Sequence, residues 1–224
     1  MNPRNRSTRR PAADRSAGFT LIELLVVLGV LGIAMVLGIP AIQNLIMRSK
    51  TEGFAREAST LLQRTRLEAI KVNRDGVVHI DPTNRRLVAF IDADREGTFN
   101  PDPNEPPRTT DYVIGQLLLP SNVEFEDEAG NTADLSVVGE TEVEVDGTDL
   151  PAVIFRPNGS IADPGTVDGD FAFRVSDPRK NHVEVRVFPQ ATGRVELRKY
   201  DLEVGEWRAS GDPSEADFKP WKWY

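Results

Sequence analysis

From Leu24 to Met47 the chain reads LLVVLGVLGIAMVLGIPAIQNLIM, and no charged residue follows before Arg48. About 20 apolar residues suffice for a helix to cross the hydrocarbon core of a bilayer, so this run predicts a membrane-spanning helix. The pattern then changes. Phe54, Ala58, Leu61, Thr65, Ala69 and Val72 recur at spacings of three and four, while Arg56, Glu57, Arg64, Glu68 and Lys71 fall mostly off that stripe. This spacing predicts an amphipathic helix with one face packed on a domain. Together the two segments read as one helix from about Phe19 to Asn73, ended near Asn73 and Gly76.

After Gly76 strand patterns take over. "VVHI" and "RLVAFID" flank the turn residues Asp81-Pro82-Thr83-Asn84, and "YVIGQLLLP", "VEFED", "DLSVV", "EVEV", "AVIF", "FAFRV", "HVEVRVF" and "GRVELRKY" follow. Many short strands divided by turn signals predict a mainly antiparallel sheet. The C-terminal "GEWRASGDPSEADFKPWKWY" reads as irregular, with Trp207, Trp221, Trp223 and Tyr224 packing back on the sheet or meeting a partner. The fold class expected is α+β.

Charge adds an orientation. Residues 1–18 hold Arg4, Arg6, Arg9, Arg10 and Arg15 against Asp14, a net +4, which leaves −12 on the rest of a chain whose net charge is −8. Basic residues ahead of the apolar run place the N-terminus in the cytoplasm and the remainder outside. The acidic body disfavours non-specific binding to nucleic acid or anionic lipid. The absence of cysteine excludes disulfides, thiolate metal sites and thiol nucleophiles. A secretory signal fits less well than an anchor, because the apolar stretch is long and no small-residue cleavage site follows it. Glu23 stands out at the edge of this run. A carboxylate at a membrane helix centre costs roughly 2.5–3.5 kcal/mol on insertion scales, so Glu23 either needs a partner or snorkels to the headgroups.

Gly18-Phe19-Thr20-Leu21-Ile22-Glu23 resembles the cleavage and methylation motif of type IV prepilins and type II secretion pseudopilins: a basic leader, Gly, Phe, Glu as the fifth residue after Gly, then an apolar helix. The resemblance implies a pilin-like fold, a long helix packed on a β-sheet domain. It implies that a membrane peptidase cuts between Gly18 and Phe19 and methylates the new Phe19 amine with S-adenosylmethionine, a cofactor of the processing enzyme and not of this chain. It implies that Glu23 pairs with a neighbouring subunit's amine and so sets assembly register, and that Pro40 kinks the helix. Bottom-up, Pro40 removes a backbone donor, and the small residues Gly29, Gly32, Ala34 and Gly38 allow close helix approach. The expected divisions are residues 1–18 as cleaved leader, 19–47 as transmembrane half-helix, 48–74 as amphipathic half-helix and 75–224 as a periplasmic β-rich domain.

Three later stretches resemble the H-type minor pseudopilins (the GspH/FimT family): Arg66, Glu68 and Ala69 in "RTRLEAIKVNRDGVVHI", Phe155 to Ser160 in "FRPNGS", and Thr192, Gly193 and Arg194 in "ATGRVELRKY". The implied function is that of a structural subunit of the type II secretion pseudopilus, seated in the inner membrane and then in the pseudopilus. The implied partners are other major and minor pseudopilins, the prepilin peptidase/methyltransferase and the inner-membrane assembly platform. The alternative is a FimT-like minor type IV pilin acting in pilus assembly or DNA uptake, for which Arg194, Arg198 and Lys199 offer only a short basic patch.

Asp92, Asp94, Glu96, Gly97 and Asn100 imitate the start of a calcium loop, but the twelfth position is Pro103 where a bidentate Glu is required. Asp92, Asp94 and Glu96 are therefore metal candidates within what reads as a solvated hairpin loop. His79 and His182 belong to no ligand cluster and read as ordinary strand residues. With no His-Glu-x-x-His or Gly-x-Ser-x-Gly motif in the chain, no catalytic activity is expected.

Overall fold

A computed structural model describes residues 19–99, 110–126, 141–166, 169–201 and 206–209, and leaves out the side chains of residues 37, 38, 40, 41, 201, 206 and 209. The leader with Gly18, the "DLSVV" segment, Asn100, Pro103, Trp221, Trp223 and Tyr224 lie outside the described residues. Residues up to Asn44 and residues from Leu45 onward form two compact units; the boundary falls inside the first helix.

Helix α1 spans Leu21–Val72, 52 residues, close to the predicted limits. Its end is a Schellman turn: Asn73 takes a left-handed φ of 55°, and the Arg74 N–H donates to the Ala69 carbonyl at 3.2 Å. Asn tolerates that conformation better than most residues. The helix continues without interruption through Gly38 and Pro40. In the first unit the described large apolar side chains are all exposed, Leu24, Leu31 and Val36 among them. Among the described residues no helix is long and apolar enough to cross a membrane.

In the second unit α1 buries Thr51, Phe54, Ala55, Ala58, Leu62, Thr65 and Ala69. The predicted stripe was nearly right. Leu62, not Leu61, is the fully buried leucine, and Leu61 and Val72 pack only at the margin. The phase slips because Ala55 and Leu62 lie one position beyond the residues first chosen, and 3.6 residues per turn brings them to the same face.

Ten of the eleven strands among the described residues pair antiparallel, as the pattern predicted. The strands are β1 (Asp75–Asp81), β2 (Arg86–Asp92), β3 (Thr98–Phe99), β4 (Tyr112–Leu118), β5 (Glu124–Glu126), β6 (Glu142–Val145), β7 (Thr148–Phe155), β8 (Phe171–Ser176), β9 (Val183–Val187), β10 (Val195–Asp201) and β11 (Glu206–Ala209). One sheet has the order β3-β6-β7-β1-β2-β4 and the other β11-β10-β9-β8-β5. The exception is β3, a two-residue strand parallel to β6 that was not anticipated. Nor was β11, which turns part of the expected irregular tail into a strand paired with β10.

Strands β1 and β2 are buried on both faces, which explains their continuous apolar runs. Val78, Ile80, Leu87, Ala89 and Ile91 join the core shared with α1 and the second sheet. Val77 and Phe90 point the other way, toward Val143, Val145 and Ala152. The hairpin between β1 and β2 is closed by Asp81, whose carboxylate accepts the Asn84 N–H at 2.9 Å, the Asn84 amide at 2.7 Å and Arg86 Nε at 3.0 Å. These bonds hold the Asp81 carboxyl below its usual range against the opposing effect of burial, which is the largest single influence on it.

In the second sheet alternation is clean. Phe171, Phe173, Val175, Val183, Val185 and Val187 face the core. On the other face Arg174 and Arg198 each bond Glu184 at 3.0 Å, in register across β8, β9 and β10. Arg198 also donates to the Trp207 carbonyl at 2.9 Å, and Arg174 lies 4.8 Å from the centre of the Trp207 ring. Trp207 therefore packs on the sheet, one of the two placements the sequence left open.

Helix and sheet meet closely at Gly76. A Cβ there would sit 3.0 Å from Ala69 Cβ, from Thr65 Cγ2 and from the Thr65 carbonyl oxygen. Gly76→Val is expected to push α1 off β1 and to cost about 2 kcal/mol, the range for overpacking a tight core. Chemical denaturation of the full chain in detergent measures this; an unchanged midpoint and slope would show that the contact is loose.

Candidate functional site

The residues singled out at the N-terminus sit where the backbone enters α1. Phe19 and Thr20 are not helical, and Phe19 is 82 % exposed. The Thr20 hydroxyl accepts the Glu23 N–H at 3.3 Å, and the Thr20 carbonyl accepts the Leu24 N–H at 3.2 Å. Thr20 is thus the N-cap, and Thr20-Leu21-Ile22-Glu23 has the spacing of a capping box. This role was missed in the sequence, although Thr-x-x-Glu is its signal. Glu23 lies in the first turn, where the helix dipole favours an anion. The arrangement leaves Phe19 exposed and fixes Glu23 about one turn further on.

The metal candidates divide. Carboxylate oxygens of Asp92, Asp94 and Asp111 all lie within 4.8 Å of one another, and Glu96 is not among them. Asp92 accepts the N–H groups of Arg95 at 2.6 Å and Gly97 at 3.1 Å, Asp94 that of Glu96 at 3.1 Å, and Asp111 that of Ala93 at 2.8 Å. The loop is therefore less solvated than expected, since Asp92 and Asp111 are both buried. Burial, with a smaller contribution from the Asp111 charge, pushes the Asp92 carboxyl up to about 6, against the pull of its two backbone N–H donors. Three hard oxygen donors at this spacing suit calcium or magnesium chemistry in kind, but each also has a backbone N–H partner. Asp111 enters from 17 residues beyond Asp94, outside the span of any loop motif.

A cavity of about 320 Å³ opens beside Ala93, between the end of α1 and strands β2 and β4. Its cations are committed: Lys71 pairs with Glu68 at 3.0 Å, and Arg74 Nε donates to the Ala93 carbonyl at 3.0 Å.

The two histidines part company. His79 lies in β1 and is fully buried, and neither ring nitrogen has a hydrogen-bond partner. His182 stands just before β9, not within it, with Nδ1 2.7 Å from the Glu126 carboxylate.

Comparison with known proteins adds to this geometry. Residues 14–39 match the prokaryotic N-terminal methylation motif. That motif holds Phe19, Thr20 and Glu23 and ends just before Pro40. No curated protein matches the chain. Among solved structures, the type IV minor pilin FimU of Pseudomonas aeruginosa is similar, with 12 % identity, a TM-score of 0.40, and 67 % of this chain and 89 % of that one covered. So is the minor pseudopilin EpsH of the Vibrio cholerae type II secretion system, with 15 % identity, a TM-score of 0.40, and 67 % and 95 % covered.

The three stretches that were scattered in sequence converge outside the methylation motif. Arg66 Nε, on α1, donates to the Gly159 carbonyl at 2.9 Å. Gly193, at φ 55°, packs on the same carbonyl, and a Cβ there would lie 2.7 Å from that oxygen and 3.4 Å from Arg66 Nε. Arg66, Gly159 and Gly193 thus form a structural junction that ties α1 to both sheets. The short basic patch is reduced to one exposed arginine: Arg198 is taken up by Glu184 and Trp207, Lys199 is buried, and Arg194, which stays exposed, lies 3.3 Å from Glu196.

Proposed function

We propose that this chain is a membrane-anchored, pilin-like structural subunit, a minor pseudopilin of a type II secretion system. The observation that carries the proposal is the methylation motif over residues 14–39, seated on a chain that is open at Phe19 and capped at Thr20. On this reading the peptidase removes residues 1–18 and methylates Phe19. The apolar run to Met47 then spans the inner membrane, with Pro40 as its bend, and the β-rich unit lies in the periplasm. Glu23 receives the Phe19 amine of a neighbouring subunit. In low dielectric an unpaired charge is costly, so the pair enforces axial register. The role is structural, with assembly through other pseudopilins and the inner-membrane platform.

The test is co-purification of the full chain from native membranes. Recovery with other pseudopilins is the expected result. The DNA-uptake reading would instead take over if the chain bound double-stranded DNA in a salt-sensitive way and lost that binding in Arg194→Ala/Arg198→Ala. Such binding is not expected, because Arg198 is held by Glu184 and Trp207 and Arg194 alone neutralises too few phosphates.

A further inference from the structure

Each sheet ends in two edge strands. Among the described residues β3 has two residues, β5 three and β11 four. The fourth edge, β4, has seven, with no proline and no charge among them. Proteins ordinarily blunt an edge with short strands, proline or charge, because its unpaired N–H and C=O groups invite another strand. β4 keeps one such device: Ala89 stands opposite Gly115 but Phe90 opposite Val113, so Ile114 is an extra, bulged residue.

Past the bulge the edge is open. The Leu119 N–H donates to the Arg85 carbonyl at 2.8 Å, and the same register puts Leu117 opposite Leu87 and Gly115 opposite Ala89. Bonded and non-bonded pairs alternate in an antiparallel ladder. The backbone groups of Gly115 and Leu117 therefore face β2. Those of Gln116 and Leu118 face away from it, where no strand among the described residues meets them. The side chains along this edge are neutral, and Val113 and Leu118 are 50 % and 64 % exposed. On the same face Val88, opposite Gln116, and Phe90, opposite Val113, are buried, so an apolar surface runs out to the edge.

We propose that the open edge of β4 takes up an extended segment of a different polypeptide as an added strand. Unpaired backbone groups are matched by another backbone, and strand addition draws affinity from main-chain bonds and specificity from alternate side chains. The segment that fits is uncharged beside Val113, Gln116 and Leu118, since a charge there would be desolvated without a partner. A second copy of this chain fits worse. Two β4 strands centred antiparallel on Leu117 set each Ile114 bulge opposite the other's Pro120, which has no N–H, so that ladder stops after Gln116 and Leu118. The proposal does not depend on whether Phe19 is methylated.

The test is fluorescence anisotropy of the full chain in detergent with a labelled, end-blocked peptide, Thr-Val-Thr-Val-Thr-Val. Saturable binding is expected. Leu118→Pro removes an outward N–H and leaves the bonds to β2 in place, as an edge position allows. It is expected to weaken binding about tenfold at an unchanged urea midpoint. N-methylation of alternate peptide nitrogens is expected to do the same with the wild-type chain. If Leu118→Pro lowers the midpoint, Leu118→Lys takes its place, since a charge also blocks an edge. No saturable binding to wild type, undiminished binding of the N-methylated peptide, or undiminished binding by the Leu118 variant that keeps the midpoint would overturn the proposal. So would a wild-type dimer that the Leu118 variant dissociates, which would give the edge to a second copy.

Discussion

Glu23→Gln is expected to abolish or sharply reduce incorporation of the subunit into a filament while leaving cleavage after Gly18 and membrane insertion intact. The choice of glutamine follows from the structure. Glu23 takes part in the Thr20 cap through its backbone N–H, which any substitution keeps, and glutamine keeps the size and polarity of the side chain. What glutamine lacks is charge. A neighbour's Phe19 amine would then meet no counter-charge in low dielectric, where an unpaired cation is costly. Glu23→Ala removes the charge and the rest of the side chain but keeps the Glu23 N–H that the Thr20 hydroxyl caps, so the two variants are expected to assemble equally poorly. Insertion is expected to be unharmed or improved in both, because a carboxylate next to the apolar run is gone. The measurement is crosslinking of each variant to partner subunits beside a secretion assay. Full assembly and secretion with Glu23→Gln would return Glu23 to the role of a first-turn residue that snorkels to the headgroups.

The second large effect is on stability and comes from His79. Desolvation lowers its pKa to about 4, with Asp81 pulling it up and Arg86 pushing it further down. The folded state thus binds the His79 proton less readily than the unfolded state, whose value is near 6.5. The neutral ring's stability is fully present above pH 6.5 and is lost as pH falls toward 4. By linkage that loss is about 3 kcal/mol at pH 4. Asp92 acts with the opposite sign in an overlapping window: its raised pKa contributes stability at low pH that disappears as pH rises through about 6. Comparing wild type with His79→Leu cancels the Asp92 contribution, which both share. At pH 7 the variant is expected to be more stable by roughly 1 kcal/mol, since two buried ring nitrogens without partners are removed. Urea denaturation at pH 7 and pH 4 reads both numbers. Parallel pH profiles for the two proteins would show that His79 is solvated or bonded in the folded state.

What could be read from the sequence was local. The helix, its two characters and its stop at Asn73 follow from periodicity and from one residue that tolerates positive φ. Most strands follow from β-propensity and turn residues. The misses are those that depend on partners distant in sequence. Strand β3 exists because Thr98 and Phe99 find β6, more than forty residues away. Strand β11 exists because Trp207 finds Tyr200 and Arg174. Glu96 was offered as a ligand because it alternates with Asp92 and Asp94, yet the third carboxylate is Asp111, delivered by the entry to β4. The Arg66, Gly159 and Gly193 resemblances were noted separately, and only the fold shows them to be one junction. At the N-terminus the order is reversed: the motif from Gly18 to Glu23 is local and legible in the sequence, and the Thr20 cap is legible there too, in the Thr-x-x-Glu spacing.

The measurement closest to the central claim is intact and N-terminal mass spectrometry of the chain purified from native membranes. The expected result is a protein that begins at Phe19 with a methylated amine. The supporting variant, Gly18→Asp, is expected to retain residues 1–18, because a peptidase must approach the backbone there. A native wild-type chain that still carries Met1 to Gly18, or that begins at Phe19 with a free unmethylated amine in a host that processes other prepilins, would contradict the account.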